Sequence, residues 1–256
     1  MNILLMNGSP RKKGNTQSIL ELYGEVLQKQ IGIEQSKLIY VSLADQSIEL
    51  CRGCRVCMEN SEAFCPCKDN VRNIEAQMVM ADIIIIGTPV YVEDVSGLMK
   101  LWIDRMAFRC HRPFFNGKMV YLVTTSGANA SNHAIKTLKQ AFLSWGAKVI
   151  GGNNYSMGPR METINVKNKY EELIKKQINR IQKNKKKIPI YSLVGFEVQK
   201  KYWIKKGLET DSYDYQYWKS KGWLEKSCSY YYPVRVDLIK HIMVKGIGIF
   251  VGKILY

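Results

Sequence analysis

The sequence predicts an α/β fold in which five parallel strands form a doubly wound sheet. Residues 1–156 alternate between strand-type and helix-type patterns. The middle strands are nearly continuous runs of Ile, Val and Leu, which is typical of strands covered on both faces. Five β–α units of this size favour a doubly wound sheet, and 2-1-3-4-5 is the strand order that we expect.

The elements follow in chain order from the local patterns. Short apolar runs predict strands at 2–6, 37–43, 83–88, 119–124 and 148–155. The segments between and after them predict helices at 15–30, 71–80, 96–109, 131–145 and 167–185. Because such sheets bind their ligand beyond the carboxyl ends of the strands, the loops at 7–15, 88–96 and 125–131 should meet at one site.

The composition changes near residue 188, which predicts two parts of the chain. A lysine-rich run at 182–187 is followed by Ile188 and Pro189, as at a helix end. We therefore expect a domain at 1–188, with a cysteine-rich insertion at 51–67, and an extension at 189–256. The extension from 190 onward holds 14 of the 27 aromatic residues. Since Tyr and Trp favour interfaces, we expect it to serve assembly.

The charge is strongly positive but unevenly spread. The net charge is +16, with 17 basic and 13 acidic residues in 1–150 (+4) and 21 and 9 in 151–256 (+12). Such a field could attract nucleic acid, anionic lipid or an acidic redox partner. No nucleic-acid motif accompanies it, so we interpret it as general lysine richness and expect no nucleic-acid partner.

Membrane insertion and export are not predicted. No run of eighteen apolar residues occurs, which excludes an ordinary transmembrane helix from the sequence pattern. The first residues also lack a basic region followed by an apolar region and a cleavage site. We therefore expect a cytoplasmic protein.

The loop after the first strand has the character of an anion site. A strand, a small-residue loop and a helix start bring free backbone N–H groups and the positive end of the helix dipole together. Ser9, Asn15 and Thr16 add side-chain donors, and residues 11–13 add positive charge. The pattern is neither an ordinary nucleotide P-loop nor a dinucleotide fingerprint, and it suits one terminal phosphate. A strand–turn–helix corner with a solvated basic loop remains the alternative.

The same segment resembles a known family. GSPRKKGNT is similar to the phosphate-binding loop of the flavodoxin-like NAD(P)H-dependent FMN reductases, which usually show G-S-x-R-x-x-G-N-T or close variants. The resemblance implies a flavodoxin-like fold, FMN as cofactor and NAD(P)H as co-substrate. It assigns the FMN phosphate to Ser9, Arg11, Gly14, Asn15 and Thr16.

A group of cysteines indicates a second site. Cys51, Cys54, Cys57 and Cys65 have the spacing C-x2-C-x2-C-x7-C. In a reducing compartment, clustered cysteines bind metal or do redox chemistry more often than they form disulfides. Four thiolates suit an iron–sulfur cluster and would also suit zinc, although zinc sites more often use two separated pairs. Free thiols are the third possibility.

The whole cysteine segment resembles that of the iron–sulfur flavoproteins, which belong to the same superfamily. CRGCRVCMENSEAFCPCKDNV is similar to their compact motif, which holds a [4Fe–4S] cluster near FMN. The resemblance implies that Cys51, Cys54, Cys57 and Cys65 are the ligands. Many FMN-reductase relatives keep a similar pattern ending in D-D-M, and not every one of them holds a cluster. Here the sequence KDNV, 68–71, stands at the D-D-M position.

Two further loops match the family. TPVYVEDVSGLMKLWIDR resembles the segment that borders the flavin ring, which implies roles for Pro89, Val90, Tyr91, Val92 and Ser96. TTSGAN, after the fourth strand, resembles the third FMN loop and implies roles for Thr125, Ser126 and Gly127.

These patterns together predict an FMN-dependent oxidoreductase. Electrons would come from NAD(P)H or, through a [4Fe–4S] cluster, from a ferredoxin-like donor, and would pass through FMN to a small-molecule or protein acceptor. The mechanism requires no acid–base side chain, so we expect no catalytic residue. Two alternatives remain open. One is an FMN electron carrier without NAD(P)H reductase activity, and the other is a membrane-peripheral or scaffolding flavoprotein that acts through its basic tail.

Overall fold

A six-stranded sheet forms the centre of the protein. The computed structural model describes residues 1–127, 132–159, 161–183, 188–210, 212–234 and 237–255. The strands are β1 Ile3–Asn7, β2 Leu38–Ser42, β3 Ile83–Tyr91, β4 Asp94–Val95, β5 Met119–Ser126 and β6 Lys148–Ser156. Their order is β2-β1-β3-β5-β6, and all these neighbours are parallel. The predicted α/β fold and strand order are therefore confirmed, with the short β4 added antiparallel to β3.

The helices of the described residues cover the sheet and continue into the tail. They are α1 Asn15–Ile31, α2 Val56–Glu59, α3 Val71–Met80, α4 Gly97–Arg105, α5 Asn132–Ser144, α6 Thr163–Lys183, α7 Ile190–Glu209, α8 Tyr213–Ser220 and α9 Leu238–Leu255. Helix α4 ends earlier than predicted because the chain tightens into a 3-10 turn at Ala107–Cys110. Helix α2 and the tail helices α7 and α8 had no helical prediction.

The alternation of side chains along β1 divides the core into two layers. Leu4 and Met6 pack in a cluster that includes residues of α3, α4 and α5, such as Trp102. Ile3 and Leu5 point to the opposite face and pack in a cluster formed with α1 and α6. Both faces of the sheet are thus buried, which explains why its middle strands have no polar alternation.

The tail has an aromatic core of its own. Phe196 stacks on Trp218 with ring centroids 5.5 Å apart, and Trp223 and Tyr231 pack against the same rings. Hydrogen bonds join this core to the sheet domain: Trp218 Nε1 donates to the His111 carbonyl at 2.7 Å. The predicted boundary lies at 182–187, of which 184–187 are outside the described residues. The assembly role of the tail stays a prediction.

None of the described helices combines the length and the apolar character that a crossing of the bilayer would need.

Candidate functional site

The carboxyl ends of β1, β3 and β5 form one edge of the sheet and open into a cavity of about 470 Å³. Its described lining is Ser9, Arg11, Lys13, Gly14, Asn15, Thr16, Pro89, Val90, Tyr91, Thr125, Ser126, Gly127, Gly158 and Pro159. The three loops that the sequence predicted to meet do so here. Residues 128–131 of the third loop lie outside the described part of the chain.

The β1–α1 loop leads into the amino end of helix α1, which no described side chain caps. Ser9 N donates to Asn7 Oδ1 at 2.9 Å, and Arg11 N donates to Ser9 Oγ at 3.1 Å, so the loop curls on its own polar groups. Helix α1 follows Gly14, and no side chain of the described residues caps it. Its first N–H groups and the positive end of its dipole therefore remain available to an anion.

Two side chains of this loop tie neighbouring segments together. Asn15 Nδ2 donates to the Gly158 carbonyl at 3.3 Å, and its Oδ1 accepts from Met161 N at 3.1 Å. The Asn15 amide therefore holds the segment after β6 against the cavity. The buried hydroxyls of Thr16 and Thr125 lie 2.7 Å apart and form a hydrogen bond between the first and third loops.

Val92 and Ser96, two of the predicted site residues, lie outside the described lining. Val92 is 99% exposed, in a turn where it and Glu93 have positive φ angles of 48° and 70°. A β-branched residue rarely adopts this backbone conformation, so the turn is strained. Ser96 is buried: its Oγ donates to the Gly8 carbonyl at 2.6 Å and accepts from Met99 N at 3.1 Å. Ser96 thus caps α4 and fixes the first loop from behind.

Three lining residues were absent from the residues assigned to FMN: Lys13, which the sequence indicated only as positive charge of the first loop, Gly158 and Pro159. A signal for the last two was present, because Gly158 and Pro159 follow the fifth predicted strand at the same edge of the sheet. Lys13 adds positive charge near Arg11, beside the start of α1.

A second cavity, of about 360 Å³, lies beside the cysteine segment. Cys57, Cys65 and Cys67 line it together with Arg105 and other residues. Arg105 Nη1 donates to Cys65 Sγ at 3.3 Å, and the same guanidinium forms an ion pair with Asp69 at 3.1 Å. Arg105 therefore contacts one of the predicted ligands. Cys51 and Cys54 are outside the described lining of this cavity.

The thiols of this segment influence one another. Burial raises the pKa of the Cys57 thiol, and the nearby Cys65, Cys51 and Cys54 raise it further, while Arg112 opposes them. Burial also raises the pKa of the Cys67 thiol. These shifts favour protonated thiols in the absence of a bound cation.

A buried network of charges lies next to the cysteine segment and was not foreseen. Arg109 pairs with Glu62 and Glu75, and Arg112 pairs with Glu62 and Asp214. Arg112 also donates to the Cys57 carbonyl. The partners come from segments that are far apart in the sequence, so no local pattern indicates them.

Comparison with known proteins agrees with this geometry. Residues 1–161 match the model of the family described as NADPH-dependent FMN reductase. The chain belongs to this family. The resemblance seen in the sequence is thereby confirmed, and membership supports FMN and NAD(P)H as cofactor and co-substrate.

Several relatives carry the name iron-sulfur flavoprotein. One from Clostridioides difficile is 29% identical over 197 residues, which cover 76% of this chain and 85% of the relative. One from Archaeoglobus fulgidus is 38% identical over 105 residues, which cover 41% of this chain. This chain therefore spans about half the length of these relatives: 48% of the Archaeoglobus fulgidus protein and 51% of a relative from Methanocaldococcus jannaschii. The solved structure of a flavone reductase superposes on this chain with a TM-score of 0.51. The match covers 71% of this chain and 60% of the flavone reductase chain at 16% identity, so the likeness is of fold alone.

The residues of the first cavity fit a phosphate-bearing flat cofactor. Its volume lies within the range of about 300–1,000 Å³ typical of cofactor sites. Ser126 is one of the lining residues, and its buried Oγ has no hydrogen-bond partner among the described residues. Buried polar atoms are normally satisfied, so this hydroxyl is free to bond a cofactor that reaches it.

The cysteine segment supplies the donor atoms that an iron–sulfur cluster needs, but its described side chains are not arranged as a metal site. Four thiols within one short segment are the donor set of an iron–sulfur cluster. Within the described ranges, however, no group of three or more His, Cys, Asp or Glu side chains is placed to hold a metal ion. The four thiols would have to come closer together to form the ligand set.

Proposed function

We propose that this protein is an FMN-dependent oxidoreductase that takes electrons from NAD(P)H. The observation that carries the proposal is the cofactor-sized cavity at the carboxyl ends of β1, β3 and β5, bordered by the loops that follow these strands. Membership of the NADPH-dependent FMN reductase family supports the same cofactor and the same electron donor.

The FMN phosphate would lie at the amino end of α1. Arg11 and Lys13 line that end of the cavity and supply the positive charge that a phosphate dianion needs. The uncapped first turn of α1 adds N–H donors and the helix dipole. Ser9 and Gly14 complete the lining there. Asn15 and Thr16 would act mainly by fixing the walls, since Asn15 holds the segment after β6 and Thr16 bonds Thr125.

The flavin ring would lie between the second and third loops. Pro89, Val90 and Tyr91 supply one border, and Thr125, Ser126 and Gly127 supply the other. The Ser126 hydroxyl would form a hydrogen bond with a polar atom of the ring edge and so gain the partner that it lacks among the described residues. When bound, FMN supplies the redox chemistry, accepting a hydride from NAD(P)H and passing electrons to an acceptor. The side chains bind and orient, and we assign none of them a proton transfer.

Turnover separates this proposal from its alternative. Protein loaded with FMN should oxidise NADH or NADPH in repeated cycles when a small-molecule acceptor is present. If dithionite reduces the bound flavin but neither nicotinamide supports turnover, the protein is an FMN electron carrier, and the reductase proposal is wrong.

We further propose that Cys51, Cys54, Cys57 and Cys65 bind a [4Fe–4S] cluster. The thiol spacing supports this proposal, and so do the relatives named iron-sulfur flavoprotein. A cluster would allow a ferredoxin-like protein to act as donor by one-electron steps. A zinc ion and four free thiols are the competing assignments, which metal analysis separates.

Assembly and location remain proposals as well. We propose a homo-oligomer, dimer or tetramer, in the cytoplasm, with the tail at 189–256 contributing to the contact between copies. The tail's aromatic richness supports the interface proposal. Light scattering of the full chain tests it: a mass of one chain at micromolar concentration would contradict it.

A further inference from the structure

The last described helix, α9 Leu238–Leu255, has an apolar face that the fold leaves open. Ile239, Ile242, Met243, Ile247 and Phe250 are all exposed, with Ile239 at 73% and Phe250 at 67%. They stand at positions i, i+3, i+4, i+8 and i+11, which lie on one side of a helix. We call these five residues the α9 stripe. Exposed apolar side chains grouped in this way indicate an interaction surface.

The opposite side of α9 is fixed against the tail. Val244 is buried in the aromatic core of the tail, and Gly248 lies directly against α7. A Cβ at Gly248 would come within 2.8 Å of Glu197 Cγ and 3.2 Å of Glu197 Cβ, so only glycine allows this approach. The packing therefore determines which side of α9 faces outward, and it is the side that carries the α9 stripe.

Positive charge borders the stripe. The helix contains Lys240, Lys245 and Lys253 and no acidic residue. Lys240 and Lys245 lie on its two flanks, roughly 90° and 130° around the helix from the centre of the stripe. Lys201 of α7 adds a further positive charge, since its Nζ donates to the Lys245 carbonyl at 3.4 Å. The Glu197 carboxylate, 3.7 Å from the same Nζ, partly offsets the Lys201 charge. Asp237 stands just before the helix. The backbone N–H of Lys240 donates to Asp237 Oδ1 at 2.9 Å, and the Lys240 ammonium lies 3.6 Å from Asp237 Oδ2, which partly offsets its charge.

We propose that the α9 stripe docks on a lipid surface that carries anionic headgroups. An apolar stripe flanked by lysines is the pattern of a helix that lies in the membrane interface, with its apolar side among the acyl chains and its lysines at the headgroups. A second copy of this chain fits less well. In a two-fold contact, the lysine rows of both copies would border one shared stripe, and neither helix offers an acidic residue to pair with them.

Vesicle sedimentation with the full chain tests this proposal. The FMN-loaded protein should pellet with vesicles of equal parts phosphatidylglycerol and phosphatidylcholine, and much less with phosphatidylcholine alone. Added salt should weaken the binding, because it screens the lysine–headgroup attraction. The double variant Ile239→Gln/Phe250→Gln should partition about a hundredfold more weakly, since each of these side chains contributes roughly a factor of ten when buried.

A matched control lies on another helix. Ile164 and Leu173 of α6 are also exposed, and Ile164→Gln/Leu173→Gln should bind vesicles like the parent chain. All variants should keep their FMN and their circular dichroism, which separates a failed docking surface from a failed flavin site. Equal loss in the control variant would overturn the proposal, as would a parent chain that stays in the supernatant. A third result would also overturn it: the parent chain forms a dimer that the α9 substitutions dissociate, and it does not bind vesicles.

Discussion

Arg112 of the sheet domain is ion-paired with Asp214 of helix α8, 102 residues further along the chain. The same guanidinium bonds the Cys57 carbonyl and, at 3.0 Å, the Glu62 carboxylate. His111 Nδ1 contacts the second Asp214 oxygen at 2.8 Å. One buried arginine thus joins the tail to the segment that carries the cysteines.

Removing Asp214 should be costly. In Asp214→Ala, Arg112 keeps only Glu62 and the Cys57 carbonyl, and breaking a buried pair typically costs about 3–5 kcal/mol. Urea unfolding should show a loss of that order in the free energy of unfolding. Asp104→Ala is the control, because the Lys100–Asp104 pair at 2.6 Å is about half exposed and should be worth less than ~1 kcal/mol. Equal losses in the two variants would mean that Asp214 does not hold the tail in place.

Alkaline stability should reflect the buried tyrosines. Burial raises the pKa of Tyr121 to about 12, well above the value of about 10 of an unfolded chain. Between these values the folded state retains a proton that the unfolded state has lost, so stability falls as the pH rises from about 10 to 12.

The variant Tyr121→Phe isolates this contribution. It removes one titrating hydroxyl, and the fall in unfolding free energy should become shallower by up to about 1.4 kcal/mol per pH unit in that window. The hydroxyl's 3.3 Å bond to Asn153 is also lost, so the comparison uses the slope and not the absolute stability. An unchanged slope by urea unfolding at a series of pH values would show that Tyr121 titrates normally.

The cysteine assignment can be tested by metal analysis. After anaerobic reconstitution, the protein should contain about four iron and four sulfide per chain and absorb broadly beyond the flavin bands. Cys57→Ser should lower the iron content and keep the FMN. Cys228→Ser is the control, since Cys228 lies in the tail and donates to the Tyr230 carbonyl. Iron-free protein with FMN bound would contradict the cluster, and zinc in its place would identify the competing metal.

Much of the fold was predictable because its signals are local. The IIIIG run of β3 is apolar on both faces, and its register pairs Ile83 to Gly87 with β1 and β5 as a central strand requires. The tail was not predictable in the same way. Its aromatic residues follow neither the strand period of 2 nor the helix period of 3.6, because they pack into a small core with one another across two helices and a loop.

The sequence predicted which loops meet at the cavity, but it did not predict where each side chain of those loops would lie. The motif around residue 96 locates Ser96 near the first loop, but its hydroxyl bonds the Gly8 carbonyl from behind and does not reach the cavity lining that is described. Val92 turns outward for a backbone reason, its positive φ. The charge network is hidden for another reason: Glu75 and Arg109 are 34 residues apart and meet only in the folded chain.

FMN binding by three neighbouring single variants tests the central claim most directly. Arg11 and Lys13 line the cavity, whereas Lys12 pairs with Asp45 on the surface, so the same charge is removed in three adjacent places. Fluorescence titration should show Arg11→Ala and Lys13→Ala weakening FMN binding about tenfold each, as expected for charge-assisted bonds to a phosphate. Lys12→Ala should bind FMN like the parent chain. Equal affinity in all three variants would show that the phosphate does not lie at the start of α1.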